Sequence, residues 1–433
     1  MRQRLPEKTD VVIVGAGMSG LAAARRLQEF GISFLMVEAQ NRIGGRIQTE
    51  YTQKGDIIEH GAQALNGDMK YLLSAINRAG LNLLPLPAIG RHLCDGANIS
   101  SARAAIAKLE RTFEKAKSRW SKFSKLRSDP GKSVADAVDL MSITAETRKI
   151  IGSNIEELWG QPIDKLQFDH AADVAERYDS YNSDWELEIA EGFGALLTAL
   201  AEPIAHQIIL ETPVTAIQTI NDRVIVETTR GSVTAKAVIV AVPPTVAKGI
   251  VPPDHWSHEA LESYKAGDLI KFMMSYNHPF WRDFGLSGTS TSVDLSGFAT
   301  ADTTKKGSEQ ANLTAFVGGP NARKLASLSE EHRWETIKPV LVRLFGNEAA
   351  NPISVTERIW VDDPWVGGAY NAHVTAGSML KPDAILRRFE DQVTFACAEI
   401  ATRFPGYVEG AMDEGAKAAK RVLETLNGQY VRD

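Results

Sequence analysis

The chain has few of the residues that mark a disulfide-rich or metal-binding protein. Only two of its 433 residues are cysteines, and Cys94 and Cys397 stand too far apart for a CxxC motif. Neither a disulfide framework nor a zinc site built on paired cysteines is therefore expected, and we expect both thiols to be reduced and buried. The nine histidines are scattered along the chain, so the sequence predicts no metal site.

Long apolar runs and an excess of positive charge are also missing. No segment approaches the roughly 18 consecutive apolar residues of a membrane span, and the formal net charge is −6. Nothing in this composition favours a membrane or a nucleic acid as a partner. The N-terminal MRQRLPEKTD contains no apolar stretch typical of a signal peptide. These absences predict a cytoplasmic protein, and 433 residues suggest two domains.

What the chain does contain is a dinucleotide-binding fingerprint. Residues 10–14 read as a short buried strand, and Gly15, Gly17 and Gly20 follow it with GxGxxG spacing. The first glycine allows the tight turn, the second lets a pyrophosphate approach the backbone, and the third lets helix and strand pack closely. The N-terminus of the helix that follows favours an anion, because its N–H groups are unpaired and its dipole end is positive.

The residues after this turn favour FAD over NAD. A second strand over 33–37 ends at Glu38, where a carboxylate can accept both ribose hydroxyls. Further on, two glycines lie between Arg42 and Arg46. Such a loop can place a guanidinium on the pyrophosphate, while its glycines let the backbone reach the flavin end of the cofactor. A lone GxGxxG is weak evidence, since glycine turns also form for conformational reasons, but here strand, glycines, helix, strand and acid arrive in order.

The middle of the chain changes from helical to β-rich. Residues 101–123 predict one long amphipathic helix with Leu109, Phe113, Trp120 and Phe123 on its apolar face. Further helices are expected up to about residue 166. Three β-rich runs then predict a meander that ends in a buried strand; they are QIILETPVTAIQTI, DRVIVETT and SVTAKAVIVAV.

The remaining elements predict a discontinuous cofactor domain. A second β-rich block covers 269–276, 312–317 and 353–360, and the last segment gives a strand-like VTFACAE followed by a helix from about residue 407. We expect the cofactor domain to comprise residues 1–75, 195–270 and 385–433. Residues 76–194 and 271–384 would form the substrate domain.

With these blocks in place, the chain resembles the flavin-containing amine oxidase superfamily, which includes monoamine oxidases, polyamine oxidases and L-amino acid oxidases. Besides the N-terminal fingerprint, the resemblance rests on four ordered blocks: EGFGALLTALA at 191–201, GDLIKFMMSYNHPFW at 267–281, WVDDPWVGGAY at 360–370 and FACAEIATRFPGYVEGA at 395–411. It implies an α/β fold, in which a discontinuous Rossmann-like FAD-binding domain carries an inserted α+β substrate domain.

The resemblance also assigns residues to catalysis. Lys271 falls on the family's lysine that holds a water against flavin N5, and Tyr370 and Tyr407 match two tyrosines that form an aromatic cage for the amine. On the residues alone, Lys271 could instead reach solvent from an edge strand, and each tyrosine could be an ordinary core aromatic. A cage of two ring faces would steer the amine's lone pair and α-carbon toward the flavin.

The fingerprint and the resemblance together predict the residues that contact the cofactor. Glu399 has a second interpretation as a capping carboxylate, and the helix beginning near Val408 is expected to aim its N-terminus at the flavin N1 and C2 carbonyl. The predicted set is Gly15, Gly17, Ser19, Gly20, Glu38, Gly45, Arg46, Ala62, Val214, Trp360, Glu399 and Val408.

Three departures from the family pattern, and one further similarity, narrow the expectation. Ala369 replaces the cysteine that carries covalent FAD in some monoamine oxidases, so we expect noncovalent FAD. Ala64 stands where L-amino acid oxidases place a carboxylate-binding arginine, which disfavours amino acids unless another arginine such as Arg91 substitutes. Cys397-Ala398 replaces the usual Gly-Thr before Glu399, which alters the local hydrogen bonding. WGQP and FPGYVEGA are similar to segments of hydroxynicotine oxidases, whereas paired tyrosines favour primary amines.

These observations predict an FAD-dependent amine oxidase. It would oxidise the α C–N bond of an amine to an imine, which hydrolyses to an aldehyde or ketone, while oxygen is reduced to hydrogen peroxide. A flavin dehydrogenase or desaturase with another electron acceptor, and a noncatalytic FAD-binding scaffold, are the two alternatives. The expected partners are a small-molecule amine and oxygen, and the chain is compatible with a homodimer.

Overall fold

Two six-stranded sheets organise the chain, one mostly parallel and one mostly antiparallel. The computed structural model describes residues 4–52, 56–87, 89–178, 180, 182–252 and 254–427. Smaller sheets accompany the two large ones: a three-stranded meander and the strand pairs Thr49–Tyr51 with Ile57–Glu59, Leu83–Pro85 with Leu187–Ile189, and Tyr264–Ala266 with Ala372–Val374.

The parallel sheet is assembled from three distant parts of the chain. Val11–Val14 lies near its centre, between Phe34–Val37 and Ala237–Val240. All three strands are buried runs of apolar residues, as expected for a parallel sheet covered on both faces. In spatial order the strands are Phe389–Glu390, Val393–Phe395, Ala237–Val240, Val11–Val14, Phe34–Val37 and Ile208–Ile209.

Alternate side chains of the central strand face two separate cores. Val11 and Ile13 belong to the core that contains the helices Met18–Glu29 and Val408–Leu426. Val12 packs on the other face, in the core shared with the meander. This division follows from the pleat, which points successive side chains to opposite faces of a sheet. The strands therefore form the middle layer between helices and meander.

Two of the runs predicted as single meander strands are divided between two sheets. The first gives Ile208–Ile209 in the parallel sheet before Val214–Ile220 joins the meander. The last gives Gly231–Ala235 in the meander and Ala237–Val240 in the parallel sheet, with Lys236 alone between them. The single-strand prediction was wrong in the first run because it overlooked Pro213 and Glu211, whose φ of 51° interrupts the extended backbone. In the last run, β-forming residues lie on both sides of Lys236, so the pattern itself carries no boundary. The middle strand, Arg223–Thr228, forms as predicted.

In the antiparallel sheet, the interior strand Leu269–Tyr276 pairs with Ala311–Gly318 and Ser354–Ile359. These are the three strands that the sequence predicted, and three more were missed. Helices Gly319–Ala326 and Glu330–Phe345 contribute to the core against this sheet. In spatial order the strands are Ser354–Ile359, Leu269–Tyr276, Ala311–Gly318, Phe298–Asp302, Leu286–Ser292 and Arg91–Asp95. The predicted domain boundary between 270 and 271 falls inside the strand Leu269–Tyr276 of this sheet.

The long helix predicted over 101–123 is shorter than expected. It spans Ile99–Ala116 and begins at Asn98, whose side chain accepts the Ser100 N–H. Trp120, predicted on the apolar face, is 84% exposed. Phe123 is buried in the same core as the helix, but the chain has turned before reaching it. The prediction was wrong at this end because an apolar residue that returns to a core after a turn resembles one more turn of helix.

The C-terminal part follows the predicted order with one correction. The strand predicted over VTFACAE is limited to Val393–Phe395, and a 3₁₀ turn, Ala398–Ile400, takes up its end. The helices of the chain are Met18–Glu29, Lys70–Arg78, Ile99–Ala116, Val134–Asp139, Ala145–Trp159, Phe168–Arg177, Phe193–Ala201, Pro244–Ala247, His258–Glu262, Phe280–Asp283, Gly319–Ala326, Glu330–Phe345, Pro382–Leu386 and Val408–Leu426, with further 3₁₀ turns at Ser124–Ser128, Glu202–Gln207 and Asn347–Ala350. Within the described ranges, none of these helices is long and apolar enough to span a membrane.

Candidate active site

A cavity of about 1510 Å³ is lined by residues of both large sheets. Val14 and Val37 contribute from the carboxyl ends of parallel strands, and Lys271 and Phe316 contribute from the antiparallel sheet. In open α/β sheets, ligands bind outside the carboxyl ends of the strands. The volume exceeds the roughly 300–1,000 Å³ of an ordinary small-molecule pocket, so the cavity can hold a dinucleotide together with a substrate.

Two glycines of the turn differ in their surroundings: Gly20 is packed against the protein, whereas Gly17 borders open space in the cavity. At Gly20, an added Cβ would lie 2.1 Å from the Gly15 carbonyl oxygen, so this glycine is required for the contact between helix and strand. At Gly17, an added Cβ would meet nothing within 4 Å, although Gly17 lines the cavity. The space beside Gly17 fits a bound group, which is the role predicted for the second glycine of the fingerprint.

Glu38 is held at the end of its strand by backbone amides. Its carboxylate accepts the Ala16 N–H at 2.7 Å and the Gln40 N–H at 2.9 Å, and the residue is buried. Burial raises the pKa of the Glu38 carboxyl, and the backbone amides act against that rise. Since a carboxylate has about four acceptor positions, two amides leave acceptor capacity for ribose hydroxyls on the cavity side.

The two arginines of the glycine-arginine loop have different roles. Arg42 donates to the carbonyl oxygens of Ile43, Gly45 and Ile47, so it braces its own loop. Arg46 lines the cavity and forms a paired contact with Glu399, at 2.8 and 3.2 Å.

Lys271 is buried on an interior strand of the antiparallel sheet, the second of six, with 1% of its surface exposed. The interpretation of an edge-strand lysine that reaches solvent was therefore wrong. Its Nζ donates to the Glu59 carbonyl, to the Gly61 carbonyl at 3.1 Å and to Gln63 Oε1 at 2.6 Å. Burial lowers the pKa of Lys271 to about 7, while the Glu59 carboxylate acts in the opposite direction.

Sequence reasoning missed Gln63 as a partner of this lysine. The segment was inspected only for the arginine that Ala64 replaces, and nothing in its pattern connects it with a strand more than 200 residues away. Glu59, also missed, is buried and accepts the Thr49 hydroxyl at 2.6 Å and the Phe193 N–H at 2.7 Å. Burial raises the pKa of the Glu59 carboxyl.

Tyr370 and Tyr407 both line the cavity, and each donates its hydroxyl to a carboxylate. Tyr370 donates to Glu157 Oε1 at 3.2 Å, and Tyr407 donates to Asp184 Oδ2 at 2.8 Å. Tyr178 donates to the other oxygen of Asp184, and its ring lies 5.2 Å from that of Tyr407. Burial raises the pKa of both cavity tyrosines, so they remain neutral donors.

The carboxylates of Glu157 and Asp184 give this part of the cavity a negative character. Both residues line it, and among the described residues no ion pair joins either of them to a cation. Burial, reinforced by the charge of Asp184, raises the pKa of Glu157 to about 7, although the bond from Tyr370 opposes the rise. Sequence reasoning missed both carboxylates, because they come from segments outside the matching blocks.

Most of the other residues predicted to contact the cofactor also line the cavity. Trp360 is fixed there by the bond from its Nε1 to the His60 carbonyl, at 3.1 Å, and Val408 opens the last helix. Gly20 and Glu399 are not among the lining residues described; Gly20 packs against Gly15, and Glu399 lies behind Arg46. The lining residues from the predicted set are Gly15, Gly17, Ser19, Glu38, Gly45, Arg46, Ala62, Val214, Trp360 and Val408.

The positions that departed from the family pattern are also located. Ala369 and Ala64 line the cavity, whereas the side chain of Arg91 is exposed on the sheet edge and is not among the lining residues described. Cys397 is buried as predicted, but Cys94 is only half-buried, which corrects the expectation for that thiol. In the described ranges, no group of three or more histidine, cysteine or acidic side chains is arranged to hold a metal ion.

Comparison with known proteins assigns the chain to a family. The family described as flavin containing amine oxidoreductase matches residues 18–423 of the chain. Human amine oxidase [flavin-containing] B is 26% identical over 463 residues, which cover 98% of this chain and 87% of that protein. The L-amino acid dehydrogenase of Synechocystis sp. is 28% identical over 459 residues, which cover 96% of this chain and 95% of that protein.

A solved structure of wild-type putrescine oxidase bound to putrescine is similar over almost the whole chain. It has a TM-score of 0.86 and 25% sequence identity, and the match covers 96% of this chain and 99% of putrescine oxidase. The predicted fold class, an α/β flavin amine oxidase fold, is thereby confirmed. The limits predicted for the two discontinuous domains stay a prediction.

Proposed function

Because this chain belongs to the family of flavin-containing amine oxidoreductases, and is an oxidoreductase acting on amines, we propose that it is an FAD-dependent amine oxidase that uses oxygen as electron acceptor. An amine would lose two electrons and two protons across its α C–N bond to give an imine, and oxygen would take them up to form hydrogen peroxide. Water would then hydrolyse the imine to an aldehyde or ketone and the free amine or ammonia.

One observation carries the proposal. Lys271, Tyr370 and Tyr407 come from three distant segments, yet they line the same cavity as the glycine turn and Glu38. A structural role for each residue alone would give no reason for these three side chains to share one cavity with the glycine turn and Glu38. Their association supports a catalytic site in which a dinucleotide lies beside the amine.

The residues present fit FAD. The open space at Gly17 would admit its pyrophosphate, Glu38 would accept ribose hydroxyls, and the N-terminus of the helix Val408–Leu426 would face an electron-rich group. Bound FAD would supply the acceptor for the two electrons that leave the amine. Since Ala369 has no nucleophilic side chain, we propose that the cofactor is held without a covalent bond.

The chain's own residues would bind and orient the amine. Amines enter mostly as ammonium ions, and the unpaired carboxylates of Glu157 and Asp184 would attract such a cation. With a pKa raised to about 7, Glu157 is suited to accept the proton that the amine must lose before its lone pair can take part. The rings of Tyr370 and Tyr407 would hold the neutral amine by presenting their faces to the nitrogen.

The Synechocystis relative favours one alternative, a dehydrogenase that passes electrons to an acceptor other than oxygen. Its substrate class fits this chain less well than its reaction type. The two carboxylates at the tyrosine hydroxyls would repel the carboxylate of an amino acid. Ala64 has no charge to bind that carboxylate, and Arg91 is not among the lining residues described. We therefore retain an amine without a carboxylate as the substrate for either reaction.

The experiment that tests the proposal is anaerobic bleaching of the purified flavoprotein by primary amines, diamines, heterocyclic amines and L-amino acids. Bleaching by one amine class, followed by stoichiometric peroxide on admission of air, is the expected result. Bleaching without peroxide would indicate the dehydrogenase, and bleaching by L-amino acids alone would overturn the proposed substrate class. The cytoplasmic location and a homodimer stay predictions, which fractionation of cells and ultracentrifugation would test.

A further inference from the structure

The turn of residues 59–63 surrounds the side-chain nitrogen of Lys271. An ammonium group has three N–H donors, and three acceptors of this turn take them: the carbonyl oxygens of Glu59 and Gly61 and Oε1 of Gln63. Gln63 is the side-chain acceptor among the three, and its distance to Nζ is 2.6 Å. The two carbonyls are fixed by the backbone, whereas a carboxamide can rotate.

We propose that Gln63 is a positioning residue that controls the donor which Lys271 can offer to a water in the cavity. The inference rests on the proposed function, because it assumes that Lys271 acts on such a water. Lys271 and Gln63 both line the cavity. While the carboxamide accepts from Nζ, the ammonium has no N–H left for a water; when it turns away, one N–H becomes free.

Protonation of the lysine is tied to the same contact. A neutral amine keeps only two N–H groups and presents a lone pair, so one of the three acceptors would then lack a donor. An acceptor left without a partner in a buried site costs about 1–3 kcal/mol. Burial lowers the pKa of Lys271 to about 7. The three acceptors of the turn oppose this effect, because they stabilise the charged form of the lysine.

Other charged groups near the turn act in both directions. The buried Glu59 carboxylate favours the charged lysine and is itself influenced by Lys305. His60 is bonded to Glu50 at 2.9 Å, and its pKa is lowered, mainly by burial and also by the nearby charges of Lys271 and Arg358. The face of the Phe316 ring, 5.6 Å from Nζ, covers another side of the ammonium and favours its charged form. A variant confined to Gln63 leaves all these groups in place.

The test compares two variants of the flavin-containing protein that keep the side-chain size. Gln63→Met removes the acceptor, and Gln63→Glu makes it a full negative charge. The pKa of Lys271 is read directly, by ¹³C NMR of protein labelled at the lysine ε-carbons, with Lys271→Met identifying the signal. We expect Gln63→Glu to raise this pKa by about one pH unit or more, as an opposite charge at this distance does, and Gln63→Met to lower it. An unchanged pKa in both variants would overturn the proposal.

A matched control separates this effect from general damage to the fold. Gln167 is fully buried, whereas Gln63 is half-buried, and Gln167 donates to the Pro130 and Ser378 carbonyls away from Lys271. Gln167→Met should leave the Lys271 signal unchanged; an equal shift there would contradict the proposal. The pH profiles of flavin reduction and reoxidation provide a second readout. If the NMR pKa moves while both profiles stay fixed, Gln63 does control the lysine, and it is the proposed function of Lys271 that fails.

Discussion

Arg46 and Glu399, 353 residues apart in the chain, form a two-contact ion pair behind the cavity wall, at 2.8 and 3.2 Å. The pair joins the glycine-arginine loop to the segment before the last helix. The Glu399 side chain is fully buried, whereas that of Arg46 is 22% exposed on the cavity side. Arg46 also donates to the Tyr370 carbonyl at 3.0 Å. One guanidinium therefore connects the predicted cofactor loop with Tyr370, which lies just before the strand Ala372–Val374.

Loss of the arginine from this pair should destabilise the fold strongly. Arg46→Met leaves a buried carboxylate whose one remaining donor among the described residues is the Ala372 N–H at 3.3 Å, and breaking a buried pair on one side costs about 3–5 kcal/mol. Urea unfolding of the flavin-free protein measures this cost. The control is Arg26→Met, which removes an exposed pair with Glu29 that is worth about 0–1 kcal/mol. Equal losses in the two variants would show that the Arg46 pair contributes nothing special.

Two alanine substitutions in the glycine turn should affect different properties, Gly17→Ala the affinity for FAD and Gly20→Ala the stability of the fold. Gly17→Ala adds a methyl group where no protein atom lies within 4 Å, so the flavin-free protein should keep its stability but bind FAD at least about tenfold more weakly, or about 1.4 kcal/mol. Gly20→Ala puts the methyl group 2.1 Å from the Gly15 oxygen, so it should lower the free energy of unfolding even without flavin. Flavin titration and thermal unfolding of both apoproteins check the two outcomes. Unchanged FAD affinity in Gly17→Ala would show that the pyrophosphate does not bind beside Gly17.

The fold was predictable where pattern and local chemistry agree. Val11–Val14 and Phe34–Val37 are continuous apolar runs bounded by glycines or an acid, and both formed as predicted. Prediction failed where one continuous β-forming run is divided between two sheets. Lys236 alone separates a meander strand from a strand of the parallel sheet, and a single residue gives no turn signal.

The site was predictable as a set of positions but not as a set of contacts. The resemblance located Lys271, Tyr370 and Tyr407, and all three line one cavity. It could not reveal Gln63 or Glu157, because their roles arise from partners more than 200 residues away that only the folded chain brings near. Covalent neighbours carry the sequence signal, whereas the electrostatics of the cavity depends on tertiary neighbours.

Glu157 should control how the enzyme binds cations as the pH changes. Its carboxyl has an ordinary pKa of 4.5, and burial raises this to about 7 in the folded chain. Below pH 7 the folded protein holds the neutral acid, and above it the carboxylate, so affinity for an ammonium substrate should rise as the pH passes through 7. Glu157→Gln keeps an acceptor for the Tyr370 hydroxyl but cannot ionise. In this variant, kcat/KM should no longer rise as the pH passes through 7. If the rise near pH 7 remains, another titrating group produces it.

The same pKa shift predicts an effect on stability with a defined sign. Because the folded pKa lies above the unfolded value, the unfolded chain releases this proton first as the pH rises. The contribution of Glu157 to the free energy of unfolding should therefore fall between about pH 4.5 and pH 7. Urea unfolding of the wild type and of Glu157→Gln across this range checks the sign. A variant that loses stability with the same slope would show that other groups produce the dependence.

Lys271 itself should affect the flavin chemistry more than the fold. Lys271→Met keeps the side-chain length, so FAD should stay bound, while flavin reduction or reoxidation should slow at least about tenfold, or about 1.4 kcal/mol in the barrier. Stopped-flow absorbance separates the two half-reactions, and the slower one identifies the step that needs the lysine. Lys305→Met is the matched control, because the half-buried Lys305 also donates to a backbone carbonyl, that of Ile189 at 3.0 Å, but is not among the lining residues described. Unchanged rates for both half-reactions in Lys271→Met, or equal losses in the two variants, would leave the lysine with a structural role alone.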